Sequence, residues 1–153
     1  MMIITIDSNV LLSVFIKDSI YEQSKSLLEK YSGNEYIIND CIYLELGVHF
    51  NDFPKLDHAL DILEVKLITQ SNVDHALVLN AWIDYLENKA FICPSCKKPI
   101  TPVCPDCLTS QSFRQRILVD FIIGGFAMTH SNGIMTLDPA YYRNYFPELT
   151  RFE

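Results

Sequence analysis

The sequence predicts an α/β fold with a mostly parallel sheet, on two observations. Short apolar runs rich in Ile, Val and Leu occur at 2–6, 35–39, 65–69 and 133–137, and longer segments of helical period separate them. Strands that alternate with helices in this way build parallel sheets covered by helices. At 153 residues and 49% hydrophobic, the chain has one domain's worth of core. A domain of this length buries roughly 70% of its unfolded surface and needs no staple to fold.

The elements follow in order. "MIITI" (2–6) stops at Asp7 and reads as a buried strand. "SNVLLSVFI" (8–16) continues with helical spacing, and 19–32 is an amphipathic helix whose Ser19 and Glu22 have the spacing of a capping box. "EYIIN" (35–39) is the second strand, after which Asp40 is expected to cap a helix over 41–50. Pro54 marks the first turn of a helix over 53–64, and "VKLIT" (65–69) is the third strand. A long amphipathic helix covers 72–88, a strongly apolar one covers 114–128, and "GIMTL" (133–137) is the last expected strand. Asp138-Pro139 then opens a short helix that ends near Phe146-Pro147. The expected organisation is a single domain over 1–153 interrupted by an insertion at 89–112, where four of the 7 prolines lie.

Net charge is −7, which argues against a surface that binds nucleic acid throughout. The charge is uneven: residues 1–88 hold 14 acids and 5 bases, whereas 89–116 hold Lys89, Lys97, Lys98, Arg114 and Arg116 against Asp106 alone. The N-terminus lacks the positive region of a signal peptide, and no apolar run is long enough to span a bilayer. The expectation is a cytoplasmic protein with no membrane partner.

Four acids stand where chemistry is expected. Asp7 and Asp138 directly follow strands, and the carboxyl ends of parallel strands are where such folds place their sites. Each also suits a helix N-cap, a purely structural role. Glu45 and Asp120 lie in "IYLELGV" and "ILVDFII", surrounded by apolar residues. An ionised carboxylate in such a helix must be paired, protonated or bound to a cation. Arg116, one turn before Asp120, offers an ion pair for that acid. A shared cation accounts for all four acids together. Carboxylates with no histidine among them suit a hard ion, Mg²⁺ or Mn²⁺. Such an ion also reverses the sign of an acidic cleft, which reconciles the net charge with a phosphodiester substrate. The four histidines (49, 58, 75 and 130) show no ligand or nucleophile–base spacing.

"CPSCKKPITPVCPDC" places Cys93, Cys96, Cys104 and Cys107 in two CxxC pairs with seven residues between them. Paired CxxC units offer four thiolates to structural Zn²⁺, in a closed site that cannot be the catalytic centre. Two disulfides and a rubredoxin-like iron site are the alternatives. Cys41 reads as a small apolar residue of a helix.

Four segments, "IDSNVLL", "YLELGV", "RILVDFIIGGFA" and "IMTLDPAYYRNYFPEL", resemble the PIN-domain family in order and spacing. The last two resemble the branch of VapC-type toxin ribonucleases that has an Arg-Ile-Leu-x-Asp-Phe helix followed by Thr-x-Asp. The resemblance covers nearly the whole chain except 89–112, which typical members lack. It implies a three-layer α/β/α fold and a Mg²⁺-dependent endoribonuclease that hydrolyses RNA with a metal-activated water. Asp7, Asp120 and Asp138 would bind the ion and Glu45 would complete the cluster, with Ser8, Asn9 and Thr136 in supporting polar positions. A small antitoxin protein and a homodimeric assembly are the implied partners. Gly124-Gly125 replaces bulkier residues that members often carry after the third acid, and close helix–sheet packing is the expected reason. The basic island suggests that Lys97 and Lys98 meet the RNA backbone and that Arg114 and Arg116 line the approach to the acids. Two other readings stand beside this one: a non-catalytic RNA-binding or scaffold zinc protein, and a nuclease of RNA processing with no toxin role.

Overall fold

The structure is a computed structural model that describes residues 1–69, 72–88, 91–93, 95–96, 98–101, 103–109 and 118–153. Strand β1 (Ile3–Ile6) leads into α1 (Ser8–Ile16) and α2 (Tyr21–Lys30). Strand β2 (Glu35–Asn39) is followed by α3 (Asp40–Phe50) and α4 (Phe53–Ile62), and β3 (Val65–Ile68) by α5 (His75–Asn88). The hairpin strands β4 (Phe91–Ile92) and β5 (Pro99–Ile100) come next, then α6 (Leu118–His130), β6 (Ile134–Met135), α7 (Pro139–Tyr145) and β7 (Arg151–Phe152).

Five strands form one sheet in the order β3-β2-β1-β6-β7, with every pairing parallel. Helices flank it: α6 packs on β1, α3 on β2 and β3, and α4 on β3. The expected α/β fold with a parallel, helix-covered sheet is the one observed. The chain runs from β1 outward to β3, then crosses to the other side of β1 for β6 and β7. The order therefore reverses between β1 and β6, and open parallel sheets form their clefts at the carboxyl end of such a reversal. The two-residue β7 falls outside the sequence expectation. It is held against β6 by backbone pairing at Ile134–Arg151 and Met135–Phe152.

The sheet is apolar on both faces, as a doubly covered sheet must be. Ile4, Ile6, Ile38, Ile134 and Met135 are fully buried. Phe121 of α6 makes ring contacts with Trp82 and Tyr85 of α5, with Tyr141 and Tyr145 of α7, and with Phe146 just beyond it. This aromatic cluster binds three helices that are distant in sequence. Gly124 and Gly125 serve the same packing: a Cβ on Gly124 would run into the Phe146 ring, and one on Gly125 into Val78. The close approach is therefore to side chains of the neighbouring α5 and α7 regions, where helix–sheet packing was expected.

Several local expectations are corrected. Ser19 and Glu22 form no capping box; α2 has Ile20 at its N-cap position with no side-chain cap. The preceding turn is organised instead by Asp18, which accepts from the Ile20 N–H at 3.0 Å and from the Ser13 hydroxyl at 2.7 Å. A carboxylate that takes two donors leaves the weaker hydroxyl cap unused. Helix α3 is capped by Asn39, whose side chain accepts from the Ile42 N–H at 3.0 Å, and Asp40 is the first helical residue. Helix α5 starts at His75, three residues later than expected, because Asp74 accepts from the N–H groups of Ala76 and Leu77. Helix α3 is also less buried than its sequence suggests. Leu44 and Val48 are 59% and 80% exposed, so its apolar residues do not all face the core.

Candidate functional site

Asp7 follows β1 and Thr136 follows β6, and the register pairs Ile6 with Met135. The sheet therefore sets Asp7 and Thr136 side by side, and the Thr136 hydroxyl donates to Asp7 Oδ2 at 2.8 Å. The Asn9 side-chain amide donates to the same oxygen at 2.9 Å, and the Tyr142 hydroxyl approaches it at 3.4 Å. The other oxygen, Oδ1, lies 3.5 Å from the Ser8 hydroxyl. One carboxylate oxygen is thus clamped by three neutral donors while the other is only loosely engaged. Asn9 and Thr136 tie the clamp to the following chain: Asn9 Oδ1 accepts from the Leu137 N–H and Thr136 Oγ1 from the Asp138 N–H.

Asp7 is 7% exposed. Burial pushes its carboxyl up to about 6, Glu45 and Asp120 push in the same direction, and the bonds from Thr136 and the Ser8 backbone pull it down. Glu45 of α3 and Asp120 of α6 thus lie within electrostatic reach of Asp7. Tyr142 is buried and its hydroxyl titrates well above its ordinary range, chiefly from burial, with Asp7 and Asp120 among the charges that hold the proton on. It remains a donor throughout the working pH range. Sequence reasoning missed Tyr142. Its signal was its place about one turn into the helix that Asp138 precedes.

The structural role weighed for Asp7 and Asp138 is not the one observed. Each sits at the N-cap position of its helix, and neither side chain accepts a capping bond. Glu45, Asp120 and Asp138 are all half-buried, which corrects the expectation of full burial for Glu45 and Asp120. The sequence expectations for Lys97, Arg114 and Arg116, including the Arg116–Asp120 ion pair, lie outside the described residues. Lys98 is described and exposed. A cavity of about 260 Å³ opens at the start of α3, lined by Asn39, Asp40, Cys41 and His75 among others, and none of the four acids lines it. Cys41 has an acidic surround: burial raises its thiol above the ordinary range, and Glu45 and Asp40 raise it further.

Among the described residues, no group of three or more His, Cys, Asp or Glu side chains is placed to hold a metal ion. The donor set nevertheless fits a hard cation. Mg²⁺ keeps several of its waters and binds proteins through one or two carboxylates plus substrate phosphates, so it does not require an all-protein cage.

No disulfide joins Cys93, Cys96, Cys104 and Cys107. Cys104 and Cys107 are close enough to interact. Bonds from the Thr109 side chain and backbone, followed by one from Cys104, hold the Cys107 thiol below its ordinary range.

No protein-family model matches the sequence, and neither does any curated protein. Among solved structures, the chain matches one from Rickettsia felis, the crystal structure of VapBC2 bound to a DNA fragment from their promoter. The two chains share a fold. The TM-score is 0.60 at 15% identity, over 98% of this chain and 97% of the matched one. Among the described residues, no helix is long and apolar enough to cross a membrane.

Proposed function

We propose that this chain is a Mg²⁺-dependent endoribonuclease that cleaves RNA phosphodiesters, and that it is the toxin of a toxin–antitoxin pair. The observation that carries the catalytic reading is the setting of Asp7. A buried carboxylate, with Glu45 and Asp120 in electrostatic reach, stands at the reversal point of a parallel sheet and does not cap its helix. Clustered carboxylates raise one another's proton affinity, and a divalent cation relieves that strain. The resemblance of the four sequence segments to VapC-type ribonucleases and the fold shared with a VapBC2 chain support the same reading.

In this reading Asp7, Asp120 and Asp138 hold the ion and Glu45 completes the acidic set. Bound Mg²⁺ supplies activation of the attacking water and neutralisation of charge on the phosphodiester. The protein supplies position. Asn9, Thr136 and Tyr142 fix Asp7 Oδ2, so the carboxylate cannot rotate and Oδ1 keeps one direction. The backbone N–H of Asp138 on Thr136 couples the start of α7 to that clamp. Mn²⁺ would serve in place of Mg²⁺, since the donors are the same.

The deciding experiment is RNA cleavage by the wild type, Asp7→Asn and Asp120→Asn, each with Mg²⁺ and with EDTA. Cleavage confined to the wild type with Mg²⁺ supports the assignment. Mg²⁺-independent cleavage, or full activity in both variants, removes it. Growth arrest on expression, relieved by a small protein encoded beside this gene, tests the toxin role separately.

A further inference from the structure

The insertion between α5 and α6 lies outside the proposed catalytic set, yet its backbone is built twice to one plan. The Cys93 N–H donates to the Lys98 carbonyl at 2.9 Å, and the Cys104 N–H donates to the Thr109 carbonyl at 2.9 Å. Each bond links the first cysteine of a Cys-Pro-x-Cys unit to the residue five positions later. Each closure folds its pair of cysteines into one tight turn. Strands β4 and β5 pair antiparallel on either side of the first turn, with Phe91 opposite Ile100 and Ile92 opposite Pro99. In the second turn the Leu108 N–H also donates to the Cys104 carbonyl at 2.9 Å.

Among the described side chains of the insertion, apolar packing does not explain this construction. Leu108 directly follows the second cysteine of its unit and adopts φ 58°, a left-handed conformation that a bulky residue takes at a cost. Its side chain is 74% exposed, so no core contact offsets that cost. Ile100 and Val103 are exposed as well. A short double turn that is strained at Leu108, exposes its described apolar side chains and carries two cysteine pairs requires some other bond to hold it.

We propose that Cys93, Cys96, Cys104 and Cys107 bind one Zn²⁺ as a closed, structural four-thiolate site. Each turn supplies two sulfurs, and tetrahedral Zn²⁺ takes four. No three of these sulfurs are gathered around one point in the structure, so binding brings two preformed halves together. Binding converts four thiols to thiolates and releases up to four protons, with no change in oxidation state. The site fixes the chain between the end of α5 and the start of α6, the helix that carries Asp120. Having no open ligand position, it takes no part in hydrolysis.

The test uses the full chain, purified without added metal. Elemental analysis should find one Zn²⁺ per chain, unchanged by removal of Mg²⁺. Exchange into Co²⁺ should give intense sulfur-to-cobalt charge-transfer absorption together with the visible bands of a tetrahedral ion. Cys104→Ser with Cys107→Ser should lose the zinc, and Cys41→Ser should retain it. Because the double variant could misfold, titration of the wild type with an organomercurial provides a second readout: zinc release should track modification of four thiols. Absence of stoichiometric metal, finding iron in its place, disulfides in the purified chain, or zinc retained in the double variant would each overturn the proposal. None of these readouts depends on nuclease activity, so the proposal stands or falls apart from the catalytic one.

Discussion

Thr136 and Asp7 are separated by 129 residues and joined by a hydrogen bond of 2.8 Å that neither could make without the β1–β6 pairing. The bond favours the ionised form of Asp7 against burial and against its acidic neighbours. Thr136→Val should therefore raise the Asp7 pKa further and move the acid limb of the cleavage profile to higher pH. Thr136→Ser, which keeps the hydroxyl, should restore it. A Val variant whose pH profile overlays the wild type would show that the bond has no part in setting the charge on Asp7.

Asp7 also makes stability depend on pH in a defined direction. Its folded pKa, about 6, lies above the ordinary 3.8, so the folded chain binds this proton more tightly than the unfolded chain. That contribution is fully present below 3.8 and is lost as the pH rises through about 6. Without divalent ions, Asp7→Asn should then exceed the wild type in stability at neutral pH by about 1–3 kcal/mol. The gap should shrink as the pH falls to about 4. Denaturant melts in EDTA at several pH values measure this, and a variant less stable than the wild type at neutral pH would contradict it.

Tyr142→Phe removes the longest of the three donors on Asp7 Oδ2 and leaves the ring in place. The buried hydroxyl contributes about 1 kcal/mol as a hydrogen bond. The variant should lose roughly that much stability and keep part of its activity, unlike Asp7→Asn. Cleavage abolished as completely as in Asp7→Asn would assign Tyr142 a direct role in the chemistry.

Gly124→Ala should destabilise the fold by about 1–3 kcal/mol, since the added methyl meets the Phe146 ring. Phe146→Leu should recover part of the loss when combined with it, because a smaller side chain yields the space. Additive losses in the double variant, read from chemical denaturation, would place the clash elsewhere.

If Lys97 and Lys98 each touch an RNA phosphate, changing both to Gln should flatten the salt dependence of binding by a slope of about 1.4. Cleavage of a very short RNA should be nearly unchanged, since the acids are untouched. An unaltered slope on long RNA would leave the insertion without a part in holding substrate.

The strands β1, β2 and β3, the helices between them and the positions of the four acids are legible along the chain. Hydrophobic period and residue spacing are local properties, and the local neighbours carry them. The two-cysteine turns are legible for the same reason, since each closes within six residues. What the tertiary structure alone decided depends on pairing across long separations. The order β3-β2-β1-β6-β7 puts Asp7 beside Thr136 and makes the carboxyl edge between β1 and β6 the candidate site. The packing of α3 and α6 brings Glu45 and Asp120 into reach of Asp7, and α7 delivers Tyr142 to the same oxygen. The strand β7 has only two residues, too few to show a period, and exists because β6 offers it a partner edge. The capping roles expected of Asp7, Asp138, Ser19 and Asp40 followed from local preference. They gave way where a distant partner or a stronger neighbouring donor set claimed the group, because a side chain bonds to what the whole fold places near it.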